Sequence, residues 1–356
     1  MKTIFTTIFL AIMVFGAKAQ DPHLSQFYMA PVYLNPALTG AFDGNYRLTG
    51  LFRSQWGSAL KNETVPMYRT YTFSAEFRTN KGFSKGDAFG FGVSFLGDQA
   101  GEAKLGYNVA GISVAYHKVL DSHYRNYLVA GFSSQLYQQT LNYSNLQFGN
   151  QWDGGGYNSL VSEQQPDTKL RYWDINAGLL WYISNIGKTR RTNAYLGVSA
   201  FHLNAPQISV FGNQDVRLNR KYVVHGGMCL PLIGRFDLQP KFIIMTQGQS
   251  VETIWASDIR ILLGNSSAET NNFHLGAMFR MVGGDPQTTS DKRLTPESVV
   301  LTAGTDWKGL NISVAYDITV SKLITATHAK GGFEVGLNYT GKWNKRSSQS
   351  INCPKF

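Results

Sequence analysis

The sequence predicts an all-β fold, a transmembrane antiparallel β-barrel of about 14 strands, and three observations carry that prediction. Segments of roughly ten residues recur in which apolar residues alternate with small polar ones, the dyad signal of a barrel strand. Charged residues make up only 16% of the 356 residues and aromatics as much as 13%, against about 25% charged in soluble domains. Long and short connections also alternate along the chain, as they do when strands cross a membrane up and down.

Residues 1–19 read as a secretory signal peptide: Lys2, an apolar core from Ile4 to Phe15, and Ala17-Lys18-Ala19 as a small-x-small cleavage site. The core is too short to span a membrane. No cysteine follows it, which argues against lipid attachment. Removal of Lys2 and Lys18 leaves 31 basic against 23 acidic residues, a net charge of +8. The basic residues are dispersed and flank no nucleic-acid motif, so the charge gives no support to a nucleic-acid partner.

Residues 20–45 form the second unit. Within them His23 to Gly40 is aromatic, carries Pro31 and Pro36, and follows neither a helical nor a strand period. Each proline removes a backbone donor and favours an extended residue before it. So sticky a segment is expected to be buried, because a large exposed apolar patch is a liability. It should fold up into or across the periplasmic mouth of the barrel, at that mouth or in the lumen, as a plug, or else serve as a docking strip. Phe27, Tyr28, Tyr33, Leu34, Asn35 and Pro36 are the residues expected to carry either role.

The third unit, 46–341, holds the strands. Tyr71, Phe73, Ala75 and Phe77 alternate with Thr70, Thr72, Ser74, Glu76 and Arg78. Phe89, Phe91, Val93 and Phe95 alternate with Ala88, Gly90, Gly92 and Ser94. The same pattern returns at 172–182, 310–318 and 332–341. Fourteen such segments are expected, at 46–56, 68–78, 88–96, 106–118, 125–138, 172–183, 191–201, 221–230, 236–247, 251–263, 272–281, 298–307, 310–318 and 332–341. With a periplasmic N-terminus, the long connections 139–171, 202–220 and 282–297 all fall outside the cell and the short ones inside, with 248–250 the exception. The last unit, 342–356, is then a periplasmic tail. A secreted β-sandwich also alternates, but its polar faces carry many Lys, Glu and Thr. Here those faces are rich in Gly, Ser, Ala and Asn, which suits a closed lumen.

Asp21-Pro22-His23-Leu24-Ser25-Gln26-Phe27-Tyr28, then Tyr33-Leu34-Asn35-Pro36-Ala37 and Gly40, with Arg53, Gln55 and Trp56, resemble the N-terminal hallmark of the PorP/SprF family. The resemblance returns in Tyr316-Asp317, in Gly331-Gly332-Phe333-Glu334-Val335-Gly336-Leu337 with Tyr339, and in Cys353-Pro354. Phe333 departs from the family, which more often has His before that Glu. The resemblance implies an outer-membrane barrel of Bacteroidota in the type IX secretion system. It further implies partners among secreted adhesin-type cargo, through their C-terminal domains, or among translocon subunits, with gliding motility as one downstream process.

Chemistry is not expected. No cofactor, metal site or small-molecule substrate is suggested by any spacing, and zinc would want paired Cys and His ligands. His117, His225 and His274 fall on the lumen face; His202 and His328 fall in outer connections, without a serine or carboxylate at fixed spacing. An outer-membrane hydrolase using one of them is the weakest alternative, and a porin-like solute channel the stronger one. The lumen-face charges Glu76, Arg78, Asp174, Lys241, Glu252, Asp258, Arg260, Arg280, Asp317 and Glu334 are expected to pair inside the barrel, and Arg69 to lie at the outer end of its strand. Gly154-Gly155-Gly156 reads as loop, without the Lys-Ser/Thr of a phosphate cradle. Cys229 and Cys353 both fall at the periplasmic end, where a disulfide could pin the tail.

Overall fold

The structure, a computed structural model, describes residues 21–56, 68–79, 81–101, 105–141, 151–152, 154–156, 169–186, 191–209, 216–263, 271–283, 294–322 and 324–343. The leader 1–19 and the tail beyond Trp343, Cys353 included, lie outside them. Fourteen strands close into one antiparallel barrel in which each pairs with its neighbours in sequence and β1 pairs with β14. They are β1 (Tyr46–Gln55), β2 (Tyr68–Thr79), β3 (Ala88–Ala100), β4 (Leu105–Val119), β5 (Asn126–Thr140), β6 (Lys169–Ile186) and β7 (Thr192–Phe201). The circuit continues through β8 (Lys221–Pro231), β9 (Phe236–Gln247), β10 (Ser250–Leu262), β11 (Asn272–Gly283), β12 (Thr295–Trp307), β13 (Leu310–Thr319) and β14 (Lys330–Gly341).

All fourteen expected segments are strands. Their ends differ where alternation fades but pairing continues. β3 runs on to Ala100 because Gly97, Asp98 and Gln99 still pair with Tyr71, Thr70 and Arg69 of β2, although no apolar residue marks them. β6 begins at Lys169, opposite Thr140 at the end of β5. The seam is fully formed, with Tyr46 opposite Gly341 and Gln55 opposite Gly332.

The pleat sorts the side chains as the alternation requires. Phe73, Phe77, Val93, Ile112, Phe132, Trp173, Leu179, Trp255 and Leu337 lie on the exposed outer face, while Thr72, Ser74, Ser94, Ser113, Ser133 and Asn176 are buried in the lumen. In a soluble protein such an apolar exterior would be an aggregation hazard; facing hydrocarbon, it is the stable arrangement. Arg69 is exposed at the start of β2, as expected of a residue at the strand's end.

The barrel has two unlike rims. The turn rim, where β1 starts, carries the short connections 120–125, 232–235 and 308–309; the loop rim carries 141–168, 202–220 and 320–329. A lumen of this strand number is too wide to be filled by wall side chains alone. Here residues 21–45 occupy much of it, leaving a cavity of about 420 Å³ between Tyr28, Met29 and Phe42 and the wall strands that carry Lys241, Arg260 and His274. They enter as short 3-10 turns at Phe27–Met29 and Pro36–Leu38 flanking one helical turn at Pro31–Leu34, with Pro31 and Pro36 each opening a turn. Pro is tolerated there because the first amides of a helical turn have no partner within the turn.

Of the two places expected for this segment, the periplasmic mouth or the lumen, it takes the lumen, and it runs from one rim to the other. Asp21 is at the loop rim, beside Lys221 at the start of β8 and Gln247 at the end of β9. Asn45 is at the turn rim, with its N–H donating to the Gly341 carbonyl. Asp21 and Gly341 therefore lie at opposite ends of the barrel; the chain ends, expected on the periplasmic side, lie outside the described residues.

Candidate functional site

The lumen segment and the wall that grips it form the candidate site. Phe27, Tyr28, Met29, Val32, Leu34, Ala37, Leu38 and Ala41 are all buried. At about 1.5–3 kcal/mol for each large side chain, this burial is the main force holding the segment in place. The wall is cut to receive it. A Cβ at Gly131 would stand 2.3 Å from the Ala37 nitrogen, and one at Gly178 would stand 1.9 Å from Asn35 Oδ1. Glycine on the lumen face is thus the imprint of the segment.

Three polar grips supplement the packing. The uppermost is at Asp21, whose carboxylate meets the Lys221 ammonium and sits 3.1 Å from His202 Nε2, while His202 Nδ1 lies 3.1 Å from Asp174 Oδ1. Burial by itself would favour neutral His202. The Asp21 charge and the bond to Asp174 outweigh it and hold the imidazole's pKa up at about 9. His202 opens the connection after β7, as expected, and is buried there between Asp21 and Asp174.

The second grip is on Ser25 and Gln26. Their backbone N–H groups donate to Glu334 Oε1 and Oε2 at 2.7 and 2.8 Å. The Ser25 hydroxyl lies 2.9 Å from both Asp317 oxygens and accepts from Arg53 and Arg280 at 2.8 Å each. Arg53 also pairs with Glu334 and Asp317, and Arg280 with Asp317 and Glu297. His23 adds an ion pair to Glu252 at 2.7 Å. Two cations and two anions buried together are tolerable because each is paired and hydrogen-bonded.

The third grip is at the turn rim. Arg47 makes two parallel bonds of 2.8 Å to Glu76, and Glu76 also accepts from the Gly40 N–H at 3.1 Å. Arg78 donates to the carbonyls of Gly40 and Phe42, and the ring of His117 bonds the Thr39 carbonyl at 2.9 Å. Lys241, paired with Asp258 at 2.6 Å, stands 3.9 Å over the Tyr28 ring, a cation–π contact.

The six residues singled out from sequence all lie in this segment. Phe27 packs edge-on against Tyr28 with ring centroids 5.7 Å apart. Tyr33 and Leu34 face β3–β7, and the Leu34 carbonyl accepts from Ser199 at 2.9 Å. Asn35 does the most: its Oδ1 caps Ala37, while its Nδ2 donates to the carbonyls of Leu179 and Val198 at 3.1 and 3.2 Å. Pro36 opens the turn that rests on Gly131. Cys229 is buried on the lumen face, accepting from Arg260 at 3.2 Å; its expected partner, Cys353, lies outside the described residues. His328 is exposed in another connection, and the fold does not bring it to His202.

Asp21, Lys221 and Arg53 were missed as holders of the segment. The signal was available. Buried charges on strand faces need partners, and the acidic and basic residues next to the aromatic run supply them.

A closed fourteen-stranded barrel with an apolar outer band and an internally paired lumen is an outer-membrane-type β-barrel protein. Within that class the chain belongs to the PorP/SprF family of type IX secretion system membrane proteins, whose family model matches residues 16–339. Comparison with curated protein sequences returns no match. Similar solved structures include the CymD monoaromatic hydrocarbon channel, at 10% identity over 87% of this chain and 92% of that one, with a TM-score of 0.46. The Ralstonia pickettii toluene transporter TbuX is 10% identical over 88% and 93%, with a TM-score of 0.44. The KdgM porin is 7% identical over 83% and 98%, at 0.37. Likeness this distant carries nothing about ligands.

Proposed function

We propose that this barrel is a binding component of the type IX secretion apparatus that engages a secreted adhesin-type cargo, through its C-terminal domain, or a translocon subunit, and supports cargo secretion or surface anchoring. Gliding motility is a downstream process that such cargo would serve. The observation that supports a binding role over transport is the lumen: the chain's own residues 21–45 occupy it and are gripped at three levels. The alternation of loop lengths supports a loop rim facing outward and a turn rim facing the periplasm. Long connections, free to vary above a rigid scaffold, are the natural partner-binding surface. No chemistry is part of this reading, and His202, with a carboxylate at each ring nitrogen, serves as a holding group.

Crosslinking in native membranes followed by affinity purification tests the proposal. Recovery of a secreted cargo protein or a translocon subunit is the expected result; recovery of neither would overturn it. The competing reading is a porin-like channel. Steady ohmic conductance of the purified, intact barrel in planar bilayers would favour that channel, and we expect none.

A further inference from the structure

On the outer wall, the apolar band of β6 ends at the loop rim in two cations. The outward positions there are Lys169, Arg171 and Trp173, all exposed, followed by Ile175 and Leu179. Alternate residues of a strand share a face and stand about 7 Å apart, so Lys169 and Arg171 are neighbours. The Arg171 guanidinium is oriented: its Nε donates to Gln138 Oε1 at 2.9 Å, from the position directly opposite on β5. Its two terminal nitrogens have no acceptor among the described residues. Arg220, also exposed, adds a third cation on this side. Its Nε donates to the Leu203 carbonyl at 3.3 Å, and the Leu203 N–H donates to Ile175 of β6 at 3.0 Å. No carboxylate answers this charge: among the described residues, none of 126–140, 169–173, 192–209 and 216–222 is Asp or Glu. By contrast Lys118, an outward cation of β4 at the turn rim, has its own counter-charge in Asp87 at 3.1 Å.

A single cation where a strand leaves hydrocarbon is ordinary, because its stem can snorkel to water. Here two adjacent cations, one held by an amide, stand in line with an apolar column of Trp173, Ile175 and Leu179 on β6, with Phe132 beside it on β5. We infer that this stripe binds a lipid phosphate monoester, with the phosphate between Lys169 and Arg171 and an acyl chain along the Trp173 column. A monoester carries about 1.5 to 2 negative charges at neutral pH, which two cations match and the single charge of a phosphodiester does not. The planar guanidinium suits it further, since its nitrogens can make two parallel bonds to phosphate oxygens. This rests on the reading that the loop rim faces outward, and on that reading the ligand is lipid A, the phosphorylated disaccharide lipid of the outer leaflet.

The test is native mass spectrometry of the purified full-length barrel in detergent, titrated with diphosphorylated lipid A, with the same lipid stripped of its phosphates, and with phosphatidylglycerol. Saturable binding of diphosphorylated lipid A is expected, about tenfold tighter than that of either other lipid. The double variant Lys169→Gln/Arg171→Gln should lose this preference, while Lys118→Gln, which removes a cation at the other rim, should keep it. Lys169→Gln alone, with a loss of about fivefold, carries the test if the double variant fails to fold. Equal binding of the three lipids, or equal losses in Lys118→Gln and Lys169→Gln, means unspecific attraction and overturns the inference. Orientation is read separately, by labelling Lys169→Cys with a membrane-impermeant maleimide against the wild-type background. Labelling in intact cells without lipid A binding overturns this inference alone. Labelling only after permeabilisation overturns the outward reading, and the assignment to lipid A with it.

Discussion

At the scale of residues, the lumen is held by charges whose titration sets when it is held. His202 is protonated in the folded protein up to about pH 9, against 6.5 for a free imidazole. Its contribution is fully present below the free value and is lost as pH rises through about 9; a shift of this size corresponds to on the order of 3 kcal/mol. Asp21 has the opposite sign. Burial would raise its pKa, but Lys221 and His202 hold it well below the usual carboxylate value, so its contribution is lost only as pH falls through the acid range. Proteolysis of residues 21–28 in the intact barrel should therefore be slow near neutral pH and accelerate above pH 9. In His202→Gln it should be faster at pH 7 and should lose the alkaline step. The second grip predicts a stability effect. Glu334→Gln leaves Arg53 and two backbone donors without their charged acceptor in a buried site, and about 3–5 kcal/mol of unfolding free energy should go with it. Urea unfolding in lipid vesicles measures that.

Elements explain which parts could be read from sequence. Strand identity was legible because Tyr71, Phe73 and Phe77 must face hydrocarbon while Thr72, Ser74 and Glu76 must not, and that constraint is local. Strand ends were less legible: Gly97 to Gln99 pair with β2 through backbone groups that no side-chain pattern records. The interior was only half legible. The segment 23–40 declared itself by its aromatics, yet its course through the lumen depends on contacts such as Ser25 with Glu334, 309 residues apart in sequence. Asp21 stood just outside the stretch that drew attention, and only closure of the barrel brings it to Lys221 and His202. Wall glycines make the fit testable as an element. Gly131→Val places a side chain where Ala37 sits, so it should displace the segment while leaving the strands paired. Bilayer conductance should rise in that variant with the β-signal in circular dichroism unchanged. Phe73→Arg, on the outer face, should instead cost about 2–4 kcal/mol if the residue lies near the bilayer midplane.

For the whole molecule, deleting residues 23–40 separates two roles for the segment. A leaky barrel that still captures its partner makes the segment a plug; a sealed barrel without its partner makes it a docking strip. We expect the leak, because the segment runs through the lumen from one rim to the other and is gripped along its length. Its path has a further consequence. One end is covalently joined to β1 at the turn rim, and at the loop rim Asp21 meets His202 of the connection between β7 and β8, Lys221 at the start of β8 and Gln247 at the end of β9. The same backbone thus touches both sides of the membrane without being part of the wall. His202 and Lys221 hold Asp21 at one end, and the covalent path from Asp21 reaches Gly40 and Phe42, where Arg78 and Glu76 sit. The barrel thus carries inside it one continuous length of chain, anchored at both rims and between them, that belongs to neither rim alone.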